Sequence, residues 1–125
     1  MIEDQNCVFC KIVKGQLPAN VIYEDADFLA FLDIRPLSPG HTIVIPKNHY
    51  RWVWDVPNTG KYFGVVTKIA RAQSLAFEQE LIQSKIIGEE VHHAHIWIFP
   101  SPSSTDGDKN DFKNNRDRIK ANIKA

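Results

Sequence analysis

The run Val91-His92-His93-Ala94-His95-Ile96-Trp97-Ile98-Phe99-Pro100 constrains this chain more than any other stretch. As a β-strand it sends alternate residues to opposite faces. His93, His95 and Trp97 then share one face, and Ala94, Ile96 and Ile98 share the other. β-Branched and aromatic residues fill its second half, and Pro100 closes it. Imidazoles on an apolar strand are costly to bury unless each finds a partner. Three of the chain's five histidines fall within four residues, at 92, 93 and 95. An imidazole can serve as nucleophile, general acid or base, or metal ligand, so the run marks a chemical site.

The rest of the chain supplies strands to pair with it. Val21-Ile22-Tyr23-Glu24 and residues 28–34 read as a hairpin around Asp25-Ala26-Asp27, and Thr42-Ile43-Val44-Ile45 is a third strand ended by Pro46. The intervening Arg35-Pro36-Leu37-Ser38-Pro39-Gly40 is a loop. Residues 81–87 form a fourth strand, and Gly88-Glu89-Glu90 leads into the histidine run. From 61 to 79, Tyr62, Val65, Val66, Ile69, Ala72, Leu75 and Ala76 recur at helical spacing, with Lys61, Lys68, Arg71 and Gln79 facing water. Residues 10–14 make a short helix stopped by Gly15 and Pro18. Residues 52–57 form a loop or helical turn with Trp52 and Trp54 as apolar plugs. Hairpin-linked strands with one long helix indicate an α+β domain with an antiparallel sheet.

At 125 residues the chain is long enough for one core without disulfide staples. Fifteen basic and fifteen acidic residues balance, which argues against a nucleic-acid surface or an electrostatic membrane anchor. A polar, acidic start and the lack of any apolar run near about 20 residues point to a cytoplasmic protein. Residues 1–100 carry the domain pattern. Residues 101–125 read as a polar extension, linker-like at first, then a short helix docked through Phe112 and Ile119 or a frayed end.

The only cysteines form Cys7-Val8-Phe9-Cys10. A redox pair, two independent thiols, and half of a zinc site are all compatible with this spacing. Zinc needs two more ligands, which His41, His49, His92 and His93 can supply.

Several of these stretches, in this order, resemble the histidine triad (HIT) family of nucleotide hydrolases and transferases. They are Cys7-x-x-Cys10-Lys11-Ile12, Pro18-Ala19, Tyr23-Glu24-Asp25, Ala30-Phe31-Leu32-Asp33-Ile34, Pro39-Gly40-His41-Thr42-Ile43-Val44-Ile45-Pro46-Lys47-x-His49, and Gly88-x-Glu90-Val91-x-His93-x-His95. The resemblance implies a five-stranded antiparallel sheet with one long and one short N-terminal helix, and a homodimer whose sheets join. It makes His95 the nucleophile at the α-phosphorus of a nucleotide, giving a nucleotidyl-histidine that water resolves, with His41 in support behind it. It implies an apolar base slot of Val8, Phe9, Leu17, Phe31, Ile34 and Ile43. Asp33 would take the ribose hydroxyls, and Glu89 and Glu90 would flank the phosphate. It also implies a structural zinc on Cys7, Cys10, His49 and His93. The expected substrates are small: nucleoside phosphoramidates or dinucleoside polyphosphates.

Three positions depart from the family pattern. Trp97 stands where a third His is expected, and its only polar atom is a donor N–H. Ile82 or Gln83 sits where the strand before the glycine carries Asn. Glu89 and Glu90 put two carboxylates beside a phosphate, which repel it when ionised. The alternative expectation is therefore a HIT-fold nucleotide-binding protein with weak or no turnover.

Overall fold

Asp25 closes the first hairpin: its Oδ1 accepts the backbone N–H groups of Asp27 and Phe28, each at 2.8 Å. This is the side-chain turn that short acidic residues favour. The structure is a computed structural model and describes residues 2–124. In chain order the elements are α1 (Val8–Val13), β1 (Val21–Glu24), β2 (Phe28–Leu32), β3 (Thr42–Pro46), α2 (Thr59–Phe77), β4 (Ile82–Lys85), β5 (Ile96–Pro100) and α3 (Phe112–Ala121). A 3₁₀ turn spans Val53–Asp55. The strands form one antiparallel sheet in the order β1-β2-β3-β5-β4. The expected α+β fold, with its five-stranded antiparallel sheet, is the observed one.

The sheet is covered on both faces. Behind it, Phe28, Ala30, Leu32, Val44, Ile96 and Ile98 meet the apolar stripe of α2. In front, Leu29, Phe31, Ile43 and Ile45 meet Cys7, Phe9 and Cys10, with Trp97 half-buried at the margin. The central strands β2 and β3 are therefore buried at every residue, as continuous apolar runs require. Tyr62 of α2 donates its hydroxyl proton to the Val44 carbonyl at 2.7 Å, so its buried oxygen is satisfied.

Local chemistry sets the element boundaries. Asn58 caps α2 by accepting the Lys61 N–H at 3.1 Å, which starts the helix at Thr59 rather than at 61. The sulfur of Cys7 accepts the Cys10 N–H at 3.4 Å, so α1 begins at Val8 rather than at 10. Asp111 caps α3 through the Asn114 N–H at 3.3 Å. This last helix lies against α2 and β1 with Ile119 fully buried and Arg118 stacked over the Phe77 ring at 4.6 Å.

Three expectations need correction. First, the histidines precede a strand rather than lie on one, since β5 is only Ile96–Pro100. Val44 pairs with Ile96, and continuing that register by two puts Ala94 opposite Pro46. Proline has no N–H for the ladder, and the Ala94 N–H goes instead to the Tyr50 carbonyl at 2.6 Å. Second, Trp52 and Trp54 are exposed by 42% and 67%, and the plugs are Val53 and Val56. Residues three apart on a 3₁₀ turn share a side, and here that side faces the core. Third, Leu75 points outward and Gln73 is the buried residue on its part of α2. Gln73 Nε2 donates to the carbonyls of Gly40 at 2.9 Å and Ile98 at 3.0 Å. No helix among the described residues is long and apolar enough to cross a membrane.

Candidate functional site

The front face carries the site, and its deepest part is a cluster of sulfur and nitrogen atoms. Cys7 Sγ lies 3.4 Å from His93 Nδ1, and Cys10 Sγ lies 3.4 Å from His49 Nδ1 and 3.5 Å from His93 Nδ1. All four donor atoms fall within 4.8 Å of one another. A tetrahedral zinc holds its sulfur and nitrogen ligands about 3.5 Å apart, so the spacing fits this metal. His93 turns its other nitrogen, Nε2, to the Pro46 carbonyl at 2.7 Å, which leaves the Nδ1 lone pair for the cluster. Burial holds His93 down to about 4, so it is neutral, as a ligand must be. Burial likewise pushes the Cys10 thiol up to about 11, a cost that a bound cation removes.

His95 follows two residues on. Its Nδ1 lies 2.7 Å from the His93 carbonyl oxygen. A carbonyl only accepts, so Nδ1 carries a proton, and Nε2 lies on the opposite edge of the ring. The ring is nearly buried, edge-on to Phe9 with centroids 5.3 Å apart. Phe9 also meets Phe31 edge-on at 5.6 Å, and Ile43 pairs with Phe31 across the ladder. An apolar wall thus stands beside an imidazole whose Nδ1 is committed to a backbone carbonyl. That arrangement suits attack on an electrophile attached to a flat, apolar group.

Asp33 and His41 form the polar corner. The Asp33 N–H bonds the His41 carbonyl at 2.9 Å, and Asp33 Oδ1 accepts the Arg35 N–H at 2.8 Å. His41 Nδ1 accepts the Leu37 N–H at 3.1 Å, which puts the proton on Nε2. Among the described residues Nε2 has no hydrogen-bond partner, and it stands 3.7 Å from Asp33 Oδ2. Burial pushes His41 down to about 4 against the opposing pull of Asp33. Trp97 adjoins this corner, its ring 5.2 Å from that of His41.

The other expected residues sit at the margin. Val8 and Leu17 are partly exposed, at 40% and 38%, while Ile34 is 76% exposed in the loop after β2. Glu89 and Glu90 are exposed beyond Gly88. Gly88 is packed against Trp52, which carries the Arg51 guanidinium over its ring at 3.7 Å. Two neighbours escaped the sequence reading. Phe99 touches His41, with ring centroids 5.2 Å apart, and continuing the alternation past Trp97 reaches it. Lys85 stands opposite Trp97 in the β4–β5 ladder, a pairing that needs the register.

The model of the HIT domain matches residues 14–103. Protein hit of Bacillus subtilis is 40% identical over 110 residues, covering 82% of this chain and 76% of that protein. An adenosine 5'-monophosphoramidase of Saccharomyces cerevisiae is 33% identical, covering 83% of this chain and 68% of the enzyme. Among solved structures, a Zn-bound histidine triad family protein from Mycobacterium smegmatis superposes with a TM-score of 0.79 at 34% identity, covering 94% of this chain and 93% of that one. On the matched domain, the relatives and the fold, the chain belongs to the histidine triad (HIT) family.

Proposed function

We propose that the chain hydrolyses nucleoside phosphoramidates or dinucleoside polyphosphates at the α-phosphorus through a nucleotidyl-histidine on His95. One observation carries the reading: Nδ1 of His95 is committed to the His93 carbonyl, which leaves a nucleophilic Nε2 beside the apolar wall of Phe9, Phe31 and Ile43. In this reading the base lies on that wall, flanked by Val8 and Leu17, with Ile34 at the rim. Asp33 accepts from the ribose hydroxyls, and His41 braces it from behind. The Gly88-Glu89-Glu90 turn offers backbone N–H groups to the phosphate. Cys7, Cys10, His49 and His93 hold a structural zinc. Zinc there would tie α1 to the histidine segment and so fix Phe9 in place.

The assembly we favour is a homodimer. β4 is an edge strand flanked by exposed Leu81 and Ile87, and α2 leaves Phe63 and Leu75 uncovered. Two unlinked cysteines fit the reducing cytoplasm.

Incubation with adenosine phosphoramidate and with a diadenosine polyphosphate tests the reaction. The expected result is product together with a mass gain of one adenylyl group on His95. Binding without adduct or product favours the second reading, a nucleotide-binding protein without turnover, which Trp97 in place of a third imidazole supports.

A further inference from the structure

The Asp33 carboxylate has one occupied oxygen and one open one. Oδ1 accepts the Arg35 N–H at 2.8 Å, while Oδ2 stands 3.7 Å from His41 Nε2, beyond hydrogen-bond reach. A sugar hydroxyl would bond such an oxygen at about 2.5–3.0 Å, so small displacements of Asp33 weaken the contact. What holds Asp33 in place is a loop closed on itself. The Asp33 N–H bonds the His41 carbonyl at 2.9 Å, the His41 N–H bonds the Ser38 carbonyl at 3.2 Å, and the Leu37 N–H bonds His41 Nδ1 at 3.1 Å.

The tip of this loop, Pro39-Gly40, is seated on the C-terminal segment. A Cβ placed on Gly40 would lie 3.0 Å from Ile119 Cδ1 and 2.5 Å from the Phe77 ring, so both side chains rest against its backbone. A Cβ placed on Gly107 would lie 3.6 Å from Pro39 Cγ. Arg118 stacks over the same Phe77 ring, and Asn115 Nδ2 donates to the Asp108 carbonyl at 2.9 Å, which joins the Gly107 turn to α3. α3 buries two side chains, Asn115 and Ile119, and both act on this seat. Gly107, Asn115 and Ile119 all lie beyond the matched domain, which ends at 103.

We infer that residues 107–119 form a positioning strap for the ribose corner, in which Ile119 acts through Gly40 and His41 to hold Asp33 where it distinguishes ribose from deoxyribose. The inference rests on the assignment of Asp33 to the ribose made above, and it requires binding but no turnover. Packed interiors transmit strain. Space opened at Ile119 lets Gly40 move toward α3. His41 follows through the shared peptide, and Asp33 follows through its bond to the His41 carbonyl.

The test titrates adenosine monophosphate and its 2′-deoxy analogue into the full chain and its variants by calorimetry. The wild-type protein should bind the ribonucleotide about tenfold or more tightly, the range for a hydrogen bond to a charged group. Asp33→Ala should bring the two affinities within about twofold. Ile119→Val removes the δ-methyl that meets Gly40; it should lower the ratio about threefold or more and leave deoxynucleotide affinity within about twofold. Ile119→Leu keeps δ-carbons and should stay near the wild-type ratio. Ile69→Val makes an equal deletion in the same core, about two turns before Phe77 on α2, and should lower stability without moving the ratio. In the Asp33→Ala background, Ile119→Val should change the ratio no further. Should Ile119→Val not fold, Pro39→Ala, which removes the ring seated on Gly107, carries the same expectation. A wild-type ratio in Ile119→Val, or an equal fall in Ile69→Val, would make α3 a general brace and overturn the inference. A ratio that survives Asp33→Ala sinks the ribose assignment as well. Failure of either nucleotide to bind at all sinks the nucleotide reading and this inference together.

Discussion

His95 Nδ1 lies 2.7 Å from the carbonyl oxygen of His93, whose own ring is turned into the Cys7, Cys10 and His49 cluster. One residue thus ties the proposed metal site to the proposed nucleophile. Emptying the cluster should free the His93 ring, let its carbonyl shift and loosen the tautomer lock on His95. Protein purified without chelator should contain about one zinc per chain. Cys7→Ser should lose it, melt several degrees lower, and turn over about tenfold more slowly at temperatures where it is still folded. Metal analysis, calorimetry and rates on the same sample check all three. Zinc-free wild-type protein, or a variant with unchanged melting, ends the zinc proposal.

Removing the nucleophile itself should have a different signature. His95→Ala deletes a ring that packs on Phe9 without breaking the Cys/His cluster. Turnover should fall by about 10³-fold or more, no nucleotidyl adduct should form, and nucleotide affinity should stay within a few-fold. Intact-mass spectrometry and titration calorimetry read the two effects separately. Adduct persisting in this variant would move the nucleophile to another residue.

Much of the fold is legible in the sequence because β2, β3 and β5 are apolar runs and α2 repeats most of its buried apolar residues at helical spacing. What was misread depends on partners distant in sequence. Gln73 turns inward because carbonyls at Gly40 and Ile98 need a donor, and a hydrophobicity pattern carries no sign of that. The histidine run leaves the sheet because its ladder neighbour is Pro46, a fact of register. The same holds for Lys85 beside Trp97. The Cys/His cluster was readable as residue types, but its closure needed the loop after β3 to bring His49 to Cys10.

Gly40 shows why one glycine of the Pro39-Gly40-His41 stretch cannot change. Its φ is +80°, and an added Cβ would lie 2.5 Å from the Phe77 ring and 3.0 Å from Ile119. Left-handed strain adds to overpacking between α2 and α3, so Gly40→Ala should cost about 2–4 kcal/mol. Chemical denaturation measures this directly. A loss below about 0.5 kcal/mol, within the range of ordinary surface substitutions, would mean that Phe77 and α3 yield easily.

Acid should weaken the fold through His41. Its Nδ1 accepts the Leu37 N–H at 3.1 Å, so protonation there breaks a bond and places a charge in the core. Burial, partly opposed by Asp33, lowers its pKa from 6.5 to about 4. Between those values the unfolded chain holds a proton on this residue and the folded chain does not, so stability rises with pH. The contribution is fully present above about pH 6.5 and is lost as pH falls toward 4. A gap of that size corresponds to about 3 kcal/mol if His41 acts alone. Urea unfolding from pH 7.5 down to 4.5 should show the decline. His41→Asn keeps an acceptor near the Leu37 N–H but cannot titrate, so its stability should fall less over the same range. An identical decline in both proteins would assign the acid sensitivity to other groups.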